Sequence, residues 1–179
     1  MSTNAADAQM ERAPRRTGTF VRLNEGDAFS GALLRFEWKE EEQEEMVKGK
    51  KVVKKVDKPY YTFSLLKAAT LETKKDNPQD FKVGAVVKVQ GKGNFNSNMD
   101  DFAAKELGID AAAAKEDHEE SMKSLVGFRF DVKREKDGEL AKGHPHAGKA
   151  VQRYDVLRST SRILDEATVA ATLGGGLPE

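Results

Sequence analysis

The stretch DAFSGALLRFEWKEEEQEEMVKGKKVVKKVDKPYYTFSLL, residues 27–66, decides how this chain is read. In Asp27 to Lys39, Ala32, Leu34, Phe36 and Trp38 alternate with Gly31, Leu33, Arg35 and Glu37. A period of two with aromatic enrichment marks a strand. Gly31 within it predicts a bulge or a sharp coil. An acidic run, Glu40 to Glu45, then faces a basic run, Lys48 to Lys55, across a turn at Gly49. Opposite charges favour pairing across a ladder, with Glu44 near Lys54. The segment 40–57 is therefore expected to be a β-hairpin extension. A second strand follows Pro59, from Tyr60 to Ala69.

Further along, Asp76-Asn77-Pro78 marks a turn. Lys82 to Lys92 reads as a third strand. Val83, Ala85, Val87 and Val89 lie on one face, with Val86, Lys88, Gln90 and Lys92 on the other. Gly91 to Asn98 breaks the pattern. Asp100 and Asp101 open a helix that Gly108 interrupts, and Asp110 caps a second helix from Ala111 to Leu125. Phe128 to Arg134 is a fourth strand, and Ala150 to Leu157 a fifth.

Three strands, a helix and two strands form the element order of the oligonucleotide-binding (OB) fold, a five-stranded Greek-key barrel. The expected fold is mostly β, with the OB domain over 20–158 and a helical insertion over 100–126. Residues 1–19 read as a disordered arm, and 159–179 as a short helix through Leu173 with a flexible glycine end.

The chain has 179 residues, enough for one domain with a real core. It has no cysteine, which excludes disulfides, thiolate zinc sites and a cysteine nucleophile. No run approaches the roughly 20 apolar residues that a spanning helix needs. Met1 to Arg16 lacks the apolar segment of a secretory signal. A cytoplasmic protein without membrane contact is expected.

The 30 basic and 30 acidic residues balance overall, yet they are unevenly spread. Residues 46–99 carry twelve basic and four acidic groups, and 121–162 carry ten and five. The largest acidic excesses fall in 23–45 and 100–120, with eight acidic and two basic groups in each. The basic excess thus falls on strand segments, where it offers a surface for phosphate.

Catalytic signatures are absent. Gly91-Lys92-Gly93 has neither the spacing nor the hydroxyl of a phosphate loop. His144 and His146 give two imidazoles in a loop without a third ligand. His118, in an acidic helix, is expected to face water. The glutamates of 40–45 alternate between the faces of a strand, which argues against a nuclease metal site. No enzyme activity, cofactor or metal is expected.

Binding chemistry is better represented. Single strands are held by a basic groove and by rings on which bases stack. The second and third strands are the usual OB ligand face. They contribute Tyr60, Lys88, Gln90 and Lys92, with Tyr61 turned inward. Phe95, amid glycine, asparagine and serine, is expected to be an exposed stacking ring, and Trp38 a second where the hairpin departs. Lys54 and Lys55 lie on the hairpin, while Arg129, Lys133 and Arg134 extend the surface onto the fourth strand. Phe63, Phe128 and Phe130 are assigned to the interior.

The chain also resembles phage-type single-stranded-DNA-binding proteins. The likeness lies in the opening Glu25-Gly26-Asp27-Ala28-Phe29-Ser30-Gly31, in Leu125-Val126-Gly127-Phe128-Arg129-Phe130-Asp131-Val132 closing a helical insertion, and in the strand-turn-strand from Lys133 to Leu157. It covers roughly residues 20 to 158 and is one of pattern, not of an invariant motif. It implies sequence-tolerant binding of single-stranded DNA in replication or recombination, with replication proteins as partners. Many such proteins end in an acidic, often aromatic tail that recruits partners; this chain ends Gly-Gly-Gly-Leu-Pro-Glu. A protein-interaction or structural module on the same barrel, such as a phage accessory or virion component, is the alternative.

Overall fold

The structure is a computed structural model that describes residues 18–74, 76–139, 143 and 150–174. The arm 1–17, His144 to His146 and the last five residues lie outside the described residues. The chain is mostly β, with its main sheet curled into a half-barrel. The strands are β1 (Thr19–Phe20), β2 (Ala28–Val47), β3 (Lys50–Leu65), β4 (Ala69–Lys74), β5 (Asn77–Phe81), β6 (Val86–Gln90), β7 (Phe128–Arg134), β8 (Gly138–Glu139), β9 (Ala150–Val151) and β10 (Tyr154–Arg162). Helices α1 (Phe95–Leu107), α2 (Ala111–Glu116) and α3 (His118–Lys123) join β6 to β7, and α4 (Glu166–Leu173) follows β10. The six-stranded sheet runs β1-β6-β3-β2-β7-β10, antiparallel except for β1 on β6.

β2 and β3 form one long hairpin. Val47 pairs with Lys50, leaving Lys48 (φ 51°) and Gly49 (φ 77°) as a two-residue turn. Positive φ at both positions is the type I′ geometry whose twist matches a hairpin. The turn is centred between Lys48 and Gly49, so Glu44 faces Val53 and Lys54 faces Gln43. The expected Glu44–Lys54 register is thereby corrected by one residue. The ion pairs nevertheless form, at 3.1 Å for Lys51–Glu44, 3.5 Å for Lys54–Glu45 and 3.5 Å for Lys55–Glu40.

The register slips once, at Leu34: Leu33 pairs with Phe63 and Arg35 with Thr62. An extra residue on one strand exchanges the faces beyond it. Leu33, Phe36 and Trp38 therefore share one face, and Ala32, Arg35 and Glu37 the other, which corrects the uninterrupted alternation read from the sequence. Gly31 is not the bulge. A Cβ there would lie 2.9 Å from the Cβ of Phe63, so the glycine serves close packing.

The concave face holds the core. Phe29, Leu33, Tyr61, Phe63, Val87, Phe130 and Val132 meet Phe95, Met99, Ala103 and Met122 of the helical connection. Phe63, Phe128 and Phe130 are buried, as the sequence implied. Val83 is exposed, because β6 begins only after the turn at Gly84 (φ 88°). The helical segment departs from expectation at two points. It starts at Phe95 and not at Asp100, and it breaks at Asp117, whose carboxylate accepts from the Glu120 N–H. Asp110 caps α2 by accepting from Ala113 N–H at 2.8 Å.

Phe95 is fully buried, with its ring 4.8 Å from that of Tyr61 and 5.5 Å from that of Tyr154. Asn94 fixes this position from the neighbouring residue. Its side chain accepts from the Tyr154 N–H at 2.6 Å and donates to the Tyr154 carbonyl at 3.2 Å, pairing with β10 as a strand would. Phe95 is thus a core residue and not a stacking ring. Phe95→Ala is expected to cost about 3–5 kcal/mol of stability. Urea unfolding followed by circular dichroism measures it, and a cost below about 1 kcal/mol would contradict this packing.

Candidate nucleic-acid interface

The outer face of β3 and β6 carries Tyr60, Thr62, Lys88 and Gln90, with Tyr60 opposite Gln90 and Thr62 opposite Lys88. The bulge at Leu34 adds Arg35 and Glu37 from β2 to this face. It is largely neutralised from within. Lys88 pairs with Glu37 at 3.0 Å, Arg35 with Glu37 at 3.8 Å, and Lys58 with Glu41 at 3.2 Å. Tyr60 points outward as expected but is only 6% exposed. Phe20 packs edge-on at 6.1 Å, Lys39 and Lys88 lie near its ring, and its hydroxyl donates to Glu41. Burial, reinforced by that carboxylate, pushes the phenol well above its ordinary pKa. A base cannot reach this ring without displacing the cover, so its assignment as an open stacking platform is corrected.

Trp38 keeps 43% of its surface exposed, but it lies on the opposite face of the hairpin, against Phe36 and His118. His118 does not face water. It is buried, with Nδ1 2.6 Å from Asp100 Oδ1 and Nε2 2.6 Å from the Tyr61 hydroxyl, which also donates to Asn96 at 2.7 Å. The helices turn this imidazole inward, so the acidic sequence around it misleads.

The remaining residues divide. Lys54 and Lys55 lie far out on the arm, each tied to a glutamate. Arg129 is held by Asp131 at 3.2 Å, and Lys133 lines a separate depression beside Lys67. Gln90, Lys92 and Arg134, however, come together around a cavity of about 250 Å³ where the segment 20–24 runs between β6 and the β7–β10 pair. Phe20, Arg22, Asn24, Gln152 and Tyr154 complete it. Phe20 and Arg22 escaped the sequence reading because they fall at the boundary of the supposed arm. The signal was present: Phe20, Arg22 and Asn24 alternate with the buried Val21 and Leu23.

Two of the cations here are matched: Arg134 by Asp137 at 2.8 Å, and Lys58, close by, by Glu41. Arg22 and Lys92 form no ion pair among the described residues. Lys92 is exposed as a residue, but its ammonium is partly covered. Loss of solvation at its ammonium, followed by repulsion from Arg22, Lys58 and Arg134, holds its pKa below the ordinary lysine range. No group of three or more metal-ligating side chains gathers among the described residues. No helix there is long and apolar enough to cross a membrane. Comparison with family models, curated proteins and solved structures gave no match.

The pairing on the outer face has a pH signature. Partial burial opposes ionisation of Glu37, but the Lys88 hydrogen bond and the charges of Arg35, Lys88 and Lys39 outweigh it and lower the pKa. A lowered carboxylate pKa stabilises the fold above the unfolded value, and that gain disappears as pH falls through the folded value. Lys88→Met should therefore cost about 1 kcal/mol at pH 7, after allowance for solvent screening at a partly exposed glutamate. The cost should shrink as pH falls below the ordinary glutamate range and Glu37 protonates. Chemical denaturation at pH 7 and pH 3 tests this, and a pH-independent cost would assign the effect to packing alone.

Proposed function

We propose that this chain binds single-stranded DNA without strong sequence preference, in replication or recombination. The observation that carries the reading is the convergence of Arg22, Lys58, Lys92 and Arg134 at the end of β6, beside the lysine-rich strand β3. A cluster of cations suits a chain of phosphates better than a neutral partner. The element order and sheet support an OB-type barrel. Taking β2, β3, β6, β7 and β10 as its five strands gives the spatial order third, second, first, fourth, fifth, with the helices between the third and fourth.

Stacking has a smaller share in this reading than the sequence suggested, since Tyr60 and Phe95 are covered. Phe20, half-buried at the cavity wall, and Trp38 are the remaining rings. Backbone contacts then dominate, and affinity depends steeply on salt.

Fluorescence anisotropy with labelled poly-dT tests the reading. Binding in the micromolar range or tighter is expected, stronger than for duplex, falling steeply between about 50 and 200 mM salt. Replacing residues 41–55 by a short Gly/Ser turn should leave the protein folded at the cost of the Glu41 contacts to Tyr60 and Lys58, because the other ion pairs it removes are exposed and each worth about 0–1 kcal/mol. That variant should bind more weakly with a flatter salt dependence. Absence of poly-dT binding at low salt would sink the proposal and leave the protein-interaction module, for which Met46, Val47, Val52 and Val53 exposed near the tip of the arm are the specific feature.

A further inference from the structure

The cavity at the seam calls for a more specific occupant than a general basic surface does. At about 250 Å³ it is smaller than the roughly 300–1,000 Å³ of pockets for drug-sized ligands. Its shape suits one compact group. The wall combines two cations in no ion pair, Arg22 and Lys92, with Arg134, whose outer nitrogens are already engaged. Nη1 of Arg134 donates to the Leu23 carbonyl at 2.7 Å and Nη2 to Asp137 at 2.8 Å. These two bonds fix the guanidinium, leaving Nε buried and without a hydrogen-bond partner. With Nε closed off from the cavity, Arg134 adds charge, and an acceptor is still needed for Arg22 and Lys92.

The carboxylates nearby do not fill this role. Asp137 is held on Arg134 and its own N–H donates to Glu25, while Glu41 is held by Lys58 and Tyr60. The amides of Gln90, Asn24 and Gln152 add neutral donors to the wall. Gln152 Oε1 accepts from the Tyr154 hydroxyl at 2.6 Å, which engages its oxygen and leaves its NH2 as the free end. The site therefore offers donors and positive charge, beside the amides of Gln90 and Asn24, which can donate as well as accept. A tetrahedral oxyanion with several acceptor oxygens matches it best.

We propose that this cavity is a discrete phosphate site, in which Arg22, Lys92 and Arg134 hold a single phosphate group. It rests on the nucleic-acid reading only for the origin of the phosphate, which is either an internal diester or a terminal monoester of the bound strand. A bound phosphate relieves the mutual repulsion at Lys92 and joins the segment 20–24 to the β6 and β7 ends that it bridges. The site thus couples ligand binding to closure of the seam.

The test uses the full chain and inorganic phosphate, titrated by calorimetry and by thermal unfolding, with chloride at matched ionic strength as control. Saturable binding and a saturable rise in Tm are expected for phosphate alone. The double variant Arg22→Gln/Lys92→Gln, at exposed positions that leave the fold intact by circular dichroism, should weaken phosphate binding at least about tenfold. Lys105→Gln, exposed on α1 and outside the cavity, should bind as the parent does. Oligo-dT with a 5′-phosphate or a 5′-hydroxyl separates the sources: tighter binding of the phosphorylated strand assigns the site to a terminal monoester, and equal binding, still weakened by the double variant, to an internal diester. A parent that binds poly-dT but shows no saturable phosphate binding, or a double variant that binds phosphate like the parent, overturns the phosphate site and leaves the nucleic-acid reading standing. Saturable phosphate binding without poly-dT binding does the reverse.

Discussion

The antiparallel ladder between β2 and β3, with its single bulge at Leu34, is the constraint on which the other features depend. From Gly31–Leu65 to Val47–Lys50 it carries the chain from the centre of the sheet to the tip of the arm with that one register shift. One extra residue places Phe36 and Trp38 with the core-facing Leu33, and Arg35 and Glu37 with the outer face. Without the bulge, Arg35 would oppose Tyr61 and a guanidinium would be driven into the core. The aromatic and charged residues of β2 are reconciled with one half-buried sheet only because the register shifts between them.

The outer face follows from that shift. Glu37 arrives between Arg35 and Lys88, and Glu41 between Tyr60 and Lys58. Each carboxylate removes a cation from the surface that a reading of β3 and β6 alone would count as free. The charge available to a ligand is consequently displaced toward the seam, where Glu41 of β2 engages Lys58 but not Arg22 or Lys92. That seam is closed by small devices. Asn94 pairs with Tyr154 through its side chain, and Gly93 (φ 55°) lies so close to the Gln152 carbonyl that a Cβ would overlap it. The segment from Thr19 joins β6 in parallel and continues as Arg22 and Leu23 beside Arg134.

The inner face has its own polar constraint. Tyr61, His118, Asp100 and Asn96 form a buried hydrogen-bonded chain between β3 and the helices. Burial, with Asp100 nearby, pushes the Tyr61 phenol well above its ordinary pKa, so the group is a neutral donor. Gly91 fits beside this chain because a Cβ there would strike Asn96 and the Tyr61 ring. The glycine-rich stretch after β6 is therefore a packed junction that aims Lys92 outward and Phe95 inward.

Much of the framework was legible in the sequence, because it depends on local periodicity and caps. The alternation of Phe128 to Arg134, the charge-matched arm, the Asp110 cap and the inward Tyr61 and Phe63 are all set by residues within a few positions of one another. Long-range contacts decided the rest. Phe95 has a local context of glycine, asparagine and serine, and only Tyr61 and Tyr154, distant in sequence, make it core. Tyr60 alternates outward as its position requires, yet Phe20 and Glu41 cover it. Arg22 carries no mark of function in its own segment. It joins Lys92 and Arg134 because β1 pairs with β6 while β7 ends beside Leu23, a meeting of three distant stretches of chain that local pattern cannot encode.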